Sequence, residues 1–359
     1  MFDLFSNLAR QLWIASVNLR ARTGRTGGDE PRVWYGGARS GKTGGPTLKL
    51  RRLKTIFPEH SKGFNLVYAL SFAPYLSRAS LEQLRESKIP VVLNQNGVFY
   101  PAWFPKGWEE RNRPMAELHA LASHVLYQSE FCRKASHRFL GERTGGSEIL
   151  YNAVDTDLFV PGQAGDAKSF AVLITGRVGG HQAYRLTQAI EGLAVARAQG
   201  LDARLVAAGV MDDDVMSQAR QTIDRLGLDS AVSLQGPFDS VSAPGIYRQA
   251  QAYLTLTHQD ACPSAVIEAM ASGLPVVHAE SGGVPELVGP AGIGIKTGED
   301  WERALIPSAQ EVGQAILTAA QERERLSLIA RERAVRLFDI KSWVARHRTL
   351  FQDLLARHG

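Results

Sequence analysis

From His258 to Glu286 the chain reads HQDACPSAVIEAMASGLPVVHAESGGVPE, and that order leaves few ways to fold. Ala265, Val266, Ala269 and Met270 recur at helical spacing between Ser264 and Ser272. Gly273 stands where a helix needs a left-handed cap. Pro275 forbids continuation, and Pro-Val-Val makes a short buried strand. Gly282-Gly283 then opens a tight turn before Pro285-Glu286. A helix followed at once by an apolar strand is half of an α/β unit.

The same stretch places chemistry. Pro263 and Ser264 sit at the helix start, where backbone N–H groups and the helix dipole attract an anion. Glu268 lies about one turn further on, placed to accept from a ribose diol. Asp260 is on the loop leading in, eight residues before Glu268. The Gly282-Gly283 turn lets a third backbone segment approach without side chains in the way. These are the parts of a nucleoside-diphosphate site; the alternative is an ordinary helix and strand with Glu268 merely solvated.

PSAVIEAMASGLPVV and GGVPELV, in this order and spacing, resemble the E-x7-E region of retaining glycosyltransferases of the GT-B fold, family four. Asp260 falls on the first acidic position and Glu268 on the second; Asp260 is one methylene shorter than the usual Glu. The resemblance extends upstream. Asn152-Ala-Val-Asp155 through Phe159-Val-Pro161 is similar to the family's inter-domain connector, with Ala153 for its glycine. Gly176-Arg177 follows a buried strand, Ala171–Thr175, as the family's Gly-Arg does. There the family has a lysine five residues after the arginine, and both cations bind the donor diphosphate; this chain has Gln182. His181 or Arg185 could stand in. For Arg177 the competing reading is a surface ion pair.

The implied fold is α/β of the GT-B type: two Rossmann-like domains facing across a cleft. The expected division is an amphipathic helix and linker over 1–30, an acceptor-binding domain over 31–160, a nucleotide-sugar domain over 161–340, and a terminal helix over 341–359 returning to the first domain. Gly209 ends a strand near the nucleotide. The donor set is then Gly176, Arg177, Gly209, Pro263, Ser264, Glu268, Gly282 and Gly283, with Asp260 and Arg177 acting in catalysis. No metal and no cofactor are expected beyond the nucleotide sugar itself, as for GT-B enzymes.

The first half offers the acceptor side. Gly36 to Thr43 matches the P-loop pattern G-x-x-x-x-G-K-[ST] letter for letter. Gly44-Gly45-Pro46 follows, which opposes a helix starting at the Lys-Thr pair. The resemblance implies a glycine loop, Gly44 and Gly45, toward donor phosphates and acceptor, with Lys42 helping to neutralise phosphate. Asn94 and Asn96 close a strand at its carboxyl end, where open α/β sheets bind ligands, and are candidates for acceptor or sugar hydroxyls; Asn-Gly is equally a turn signal.

Charge is uneven. Residues 1–160 hold 22 Lys and Arg against 14 Asp and Glu, a net +8, within a chain of net +5. An anionic partner is expected there, a membrane surface or a phosphorylated acceptor; no motif accompanies the charge to suggest nucleic acid. Phe2, Phe5, Leu8, Ala9, Leu12, Trp13 and Val17 fall near one helical face, to be buried on a membrane, on the domain itself or on a partner subunit. No apolar run approaches a membrane span or a secretory signal, and two unpaired-looking cysteines fit a reducing compartment. The expected place is the cytoplasm, with the inner membrane face as an option. The expected activity is sugar transfer from a nucleotide sugar to a glycan or lipid-linked acceptor, in surface polysaccharide or glycoconjugate synthesis. A nucleotide-sugar-binding protein without transfer, and a P-loop NTPase, are the alternatives.

Overall fold

The computed structural model describes residues 2–39, 41, 45–162 and 169–358, with side chains undescribed at 2–7, 45 and 46. The chain forms two compact units, Met1–Tyr151 with Lys341–Gly359, and Asn152–Ile340.

The first unit opens with α1 (Phe2–Ala21), then alternates β1 (Val33–Trp34), α2 (Gly45–Ile56), β2 (Leu66–Leu70), α3 (Arg78–Glu86), β3 (Val91–Gln95), α4 (Trp108–Leu121), β4 (His124–Tyr127), α5 (Glu130–Leu140) and β5 (Gly146–Ile149). The five strands are parallel and lie in sequence order. β2 and β3 are buried at every position, as central parallel strands are. Helix α4 begins six residues before Pro114 and keeps that proline inside. Left-handed Gly107 and the acidic pair Glu109-Glu110 favour the earlier N-terminus. The last helix, α13 (Ile340–His358), belongs here. Its Phe351 packs edge-on against Phe57 and Tyr68, and its buried His347 meets the Tyr68 hydroxyl at 3.1 Å. His347 Nδ1 lies 2.9 Å from the Trp343 carbonyl, so Nδ1 carries the proton and Nε2 accepts from Tyr68. Burial holds this imidazole's pKa down at about 4.

The second unit runs β6 (Phe170–Val178), α6 (Tyr184–Ala198), β7 (Ala203–Met211), α7 (Asp213–Leu226), β8 (Val232–Gln235), α8 (Ala243–Tyr247), β9 (Ala252–Thr255), α9 (Ser264–Ala271), β10 (Val276–Ala279), α10 (Val284–Val288), β11 (Gly292–Ile295), α11 (Ala309–Gln321) and α12 (Arg323–Phe338). Its parallel sheet has the order β11-β10-β9-β6-β7-β8. The order reverses between β6 and β9, which pair at Val172–Ala252 and Leu173–Tyr253. That reversal is the place where a doubly wound sheet opens a crevice at its strand ends. Helices α6 and α11 pack closely because Gly192 and Gly313 face each other's helix: a Cβ on Gly192 would strike Val312, and one on Gly313 would strike Val195.

The connector after Tyr151 is tied to the second unit. Val154 bridges Asp339, and Arg331 donates to the carbonyls of Thr156 and Phe159. The sequence boundary near Val160 therefore falls inside this unit, because two carbonyls bonded by Arg331 of α12 and the bridge to Asp339 hold the preceding residues to it.

Candidate functional site

The predicted donor residues of the second unit converge on the β6/β9 reversal. Gly176 and Gly209 are in register on β6 and β7, with φ of 116° and 144°. A Cβ on Gly209 would overlap the Gly176 carbonyl, so only glycine allows this approach. Neither glycine ends its strand; both strands continue to Val178 and Met211. Arg177 projects from the same strand end. Its side chain is 74% exposed and pairs with Asp212 at 3.3 Å, the surface ion pair that competed with the phosphate reading. Such a pair is weak enough for a stronger anion to displace Asp212.

Pro263 is the N-cap of α9, and no side chain caps that end. Glu268 sits one turn in, half-buried, and accepts from the Tyr247 hydroxyl at 2.9 Å. Tyr247 is within 3.1 Å of Thr175 Oγ1, which is also 3.1 Å from the Tyr253 hydroxyl. Burial first, and the Glu268 charge second, push the Tyr247 hydroxyl well above its ordinary pKa, so it stays a donor. Through these hydroxyls Glu268 is braced against β6 one residue before Gly176.

Asp260 is held by its neighbours' backbones. Its Oδ1 accepts from Cys262 N at 3.2 Å, and its carbonyl accepts from Gly283 N at 2.8 Å. Gly282, with φ of 69°, lies so close to Gln259 and Asp260 that a Cβ would meet their backbone. Gln259 itself holds a φ of 53°, uncommon for a side-chain-bearing residue. Asn152 steadies the same loop by donating to the Cys262 carbonyl at 2.6 Å. Burial raises the Asp260 carboxyl pKa, opposed by the Cys262 and Ala261 amides and by the Arg185 guanidinium.

Arg185 is the member that spacing alone left as one of two options. It is 8% exposed, near the start of α6. Its Nη1 donates to the Arg177 carbonyl and to Gln182 Oε1, each at 3.1 Å. Gln182, also buried, closes a short 3-10 turn (Gly180–Gln182), while His181 is exposed. Thr175, Tyr247 and Tyr253 were missed; each lies on a different element, and no local pattern tells three hydroxyls to meet.

In the first unit, Gly45 opens α2, and Lys42 and Gly44 lie outside the described residues. Asn94 is fully buried; its Oδ1 accepts from Lys49 at 2.9 Å and Gln128 at 3.1 Å. It is a strut inside the sheet end, and the half-buried Asn96 is the one with surface. Asn96 N donates to Ser71 Oγ at 2.9 Å.

Residues 169–322 match the family model of glycosyl transferases group 1. The match lies inside the second unit. Both units together have the fold of GT-B glycosyltransferases, two parallel-sheet Rossmann-like domains. HepE of Anabaena, solved with UDP, is 20% identical over 85% of this chain and 81% of its own, with a TM-score of 0.64. Sucrose-phosphate synthase of Thermosynechococcus elongatus is 19% identical over 87% and 78%, with a TM-score of 0.66. The pneumococcal O-GlcNAc transferase GtfA, solved with UDP and GlcNAc, is 14% identical over 81% of this chain and 57% of its own, with a TM-score of 0.64. No curated protein sequence matches the chain. The group 1 match supports a glycosyltransferase, and these neighbours share the fold.

Proposed function

We propose that the chain is a retaining glycosyltransferase that moves a sugar from a nucleoside-diphosphate sugar to a glycan or lipid-linked acceptor, in the synthesis of surface polysaccharide or glycoconjugates. The observation that carries this is the meeting of Asp260, Glu268, the α9 start and the Gly176-Arg177 strand end at one sheet reversal, within the span that matches group 1 transferases. In this reading Glu268 takes the ribose diol, while Arg177 and the α9 N-terminus meet the diphosphate. The Gly282-Gly283 turn admits the phosphates to the backbone.

The reaction is same-face substitution. The C1–O bond to the diphosphate breaks, the acceptor oxygen bonds to C1 on the same face, and the acceptor proton passes to the departing phosphate oxygen. Asp260 positions sugar hydroxyls and stabilises positive charge developing at C1. No enzyme nucleophile is needed. The neighbours solved with UDP make a uridine nucleotide the first to try. The acceptor is assigned to the basic first unit, whose charge suits a phosphorylated or membrane-borne substrate.

Contact with an anionic membrane is part of the proposal. Leu8, Leu12 and Leu19 of α1 are 54%, 64% and 65% exposed, and their spacing puts them on one stripe. The helix is meanwhile anchored to its own unit by buried Val17 and by Asn18, which donates to the Tyr75 carbonyl at 3.0 Å. No helix among the described residues is long and apolar enough to cross a membrane.

Incubation with a panel of nucleotide sugars and release of free nucleotide tests the activity. Wild type is expected to turn over at least one member, and Glu268→Ala to lose at least tenfold in kcat/KM. Equal rates for both proteins would refute the assignment of Glu268. A second reading, nucleotide-sugar binding without transfer, is favoured by Gln182 and the short Asp260; tight binding with no turnover across many acceptors selects it.

A further inference from the structure

We propose that Arg185, aimed by Gln182, is the buried cation that receives the donor's diphosphate. This rests on the donor-site reading above and adds to it the group that meets the leaving-group charge. The residue is unusual on physical grounds alone. The residue is over nine-tenths buried, yet no ion pair is found for it among the described residues. Its Nε is buried and has no hydrogen-bond partner. A buried cation with an unmade hydrogen bond is costly to a folded chain, and an anion would complete it. Its hydrogen bonds run from Nη1 alone, to the Arg177 carbonyl and Gln182 Oε1.

Its charge is also felt by groups of the site. Arg185 acts on Asp260, Tyr184 and Tyr253, which come from the loop after β9, the start of α6 and β9 itself. Its bond to the Arg177 carbonyl places it beside the end of β6, the strand that meets β9 at the reversal. Arg177, by contrast, is exposed and held outward by Asp212. Of the two arginines, Arg185 is the pre-organised one: planar, desolvated and held at two points, it suits a phosphate oxygen pair. Gln182, three residues earlier, supplies a neutral acceptor that aims the fork without neutralising it. A carboxylate there would quench the charge, and a cation would repel it.

Calorimetric titration of UDP, GDP and ADP, each beside its parent nucleoside, tests the proposal on the full chain. Wild type is expected to bind one diphosphate more tightly than its nucleoside. Arg185→Gln should weaken that diphosphate about tenfold or more and leave the nucleoside within about twofold. Loss of both ligands alike makes Arg185 a structural strut and overturns the proposal. Unchanged diphosphate affinity in Arg185→Gln also overturns it, with the donor site standing. If wild type binds none of the three diphosphates, the donor-site reading fails and the proposal falls with it. Should Arg185→Gln not fold, Gln182→Leu decides. It keeps the cation but removes the acceptor that aims it, and a selective loss of about threefold for the diphosphate supports the proposal. Equal affinity to wild type refutes it.

Discussion

Asp260 shows how single residues at this site trade stability against function. Burial, its largest influence, raises the carboxyl pKa, and the amides of Cys262 and Ala261 with Arg185 only partly offset it. A carboxyl raised on folding contributes most below its ordinary value near 3.8 and costs stability as pH rises through the folded pKa. Asp260→Asn keeps the oxygen that accepts from Cys262 N and removes the charge. It should raise the urea midpoint at pH 7.5, with the gain shrinking as pH falls toward 3.8, while sugar transfer is lost. A variant less stable than wild type at both pH values would mean that the carboxylate is a structural anchor. The same scale explains what spacing could reveal about the cations. Gln182 was legible as a departure because one position in a pattern had changed. The contact between Gln182 and Arg185 depends on a 3-10 turn placing residue 182 against residue 185, which no residue type announces.

At the scale of elements, the stretch from α9 to the Gly282-Gly283 turn was the most legible part. Gly273 takes the left-handed cap at φ of 71°, and β10 follows Pro275 at once, because each signal there is local. Helix α4 was less legible: Pro114 reads as a start, and tertiary context carries the helix through it. The hydroxyl cluster around Glu268 was invisible because Thr175, Tyr247 and Tyr253 meet only once α8 and the β6–β9 pair are assembled. Helix α1 is divided between two faces. Val17 and Ala21 are buried in the first unit, while the leucine stripe faces outward. Sedimentation with vesicles of phosphatidylglycerol should therefore capture the protein, and phosphatidylcholine alone should capture less. Replacing Leu8, Leu12 and Leu19 together by Glu should lower capture at least tenfold, since each buried leucine contributes on the order of 1.5 kcal/mol or more. Capture unaffected by the triple change would remove α1 from the membrane account.

Over the whole molecule, two units of the same parallel-sheet design carry different burdens. Among the described residues the first has its strands in sequence order, without the reversal found in the second. It carries the positive charge instead, a net +8 over residues 1–160. The second unit concentrates paired glycines, an uncapped helix start, two acids and a desolvated arginine at a single strand crossing. A structure of the protein crystallised with the nucleoside diphosphate it binds best bears most directly on this. The diphosphate should lie between the β6 strand end and the α9 N-terminus, in contact with Arg185, with the ribose on Glu268. A nucleotide found instead at the Gly36–Thr43 loop of the first unit, with the β6/β9 reversal empty, would contradict the account at its centre.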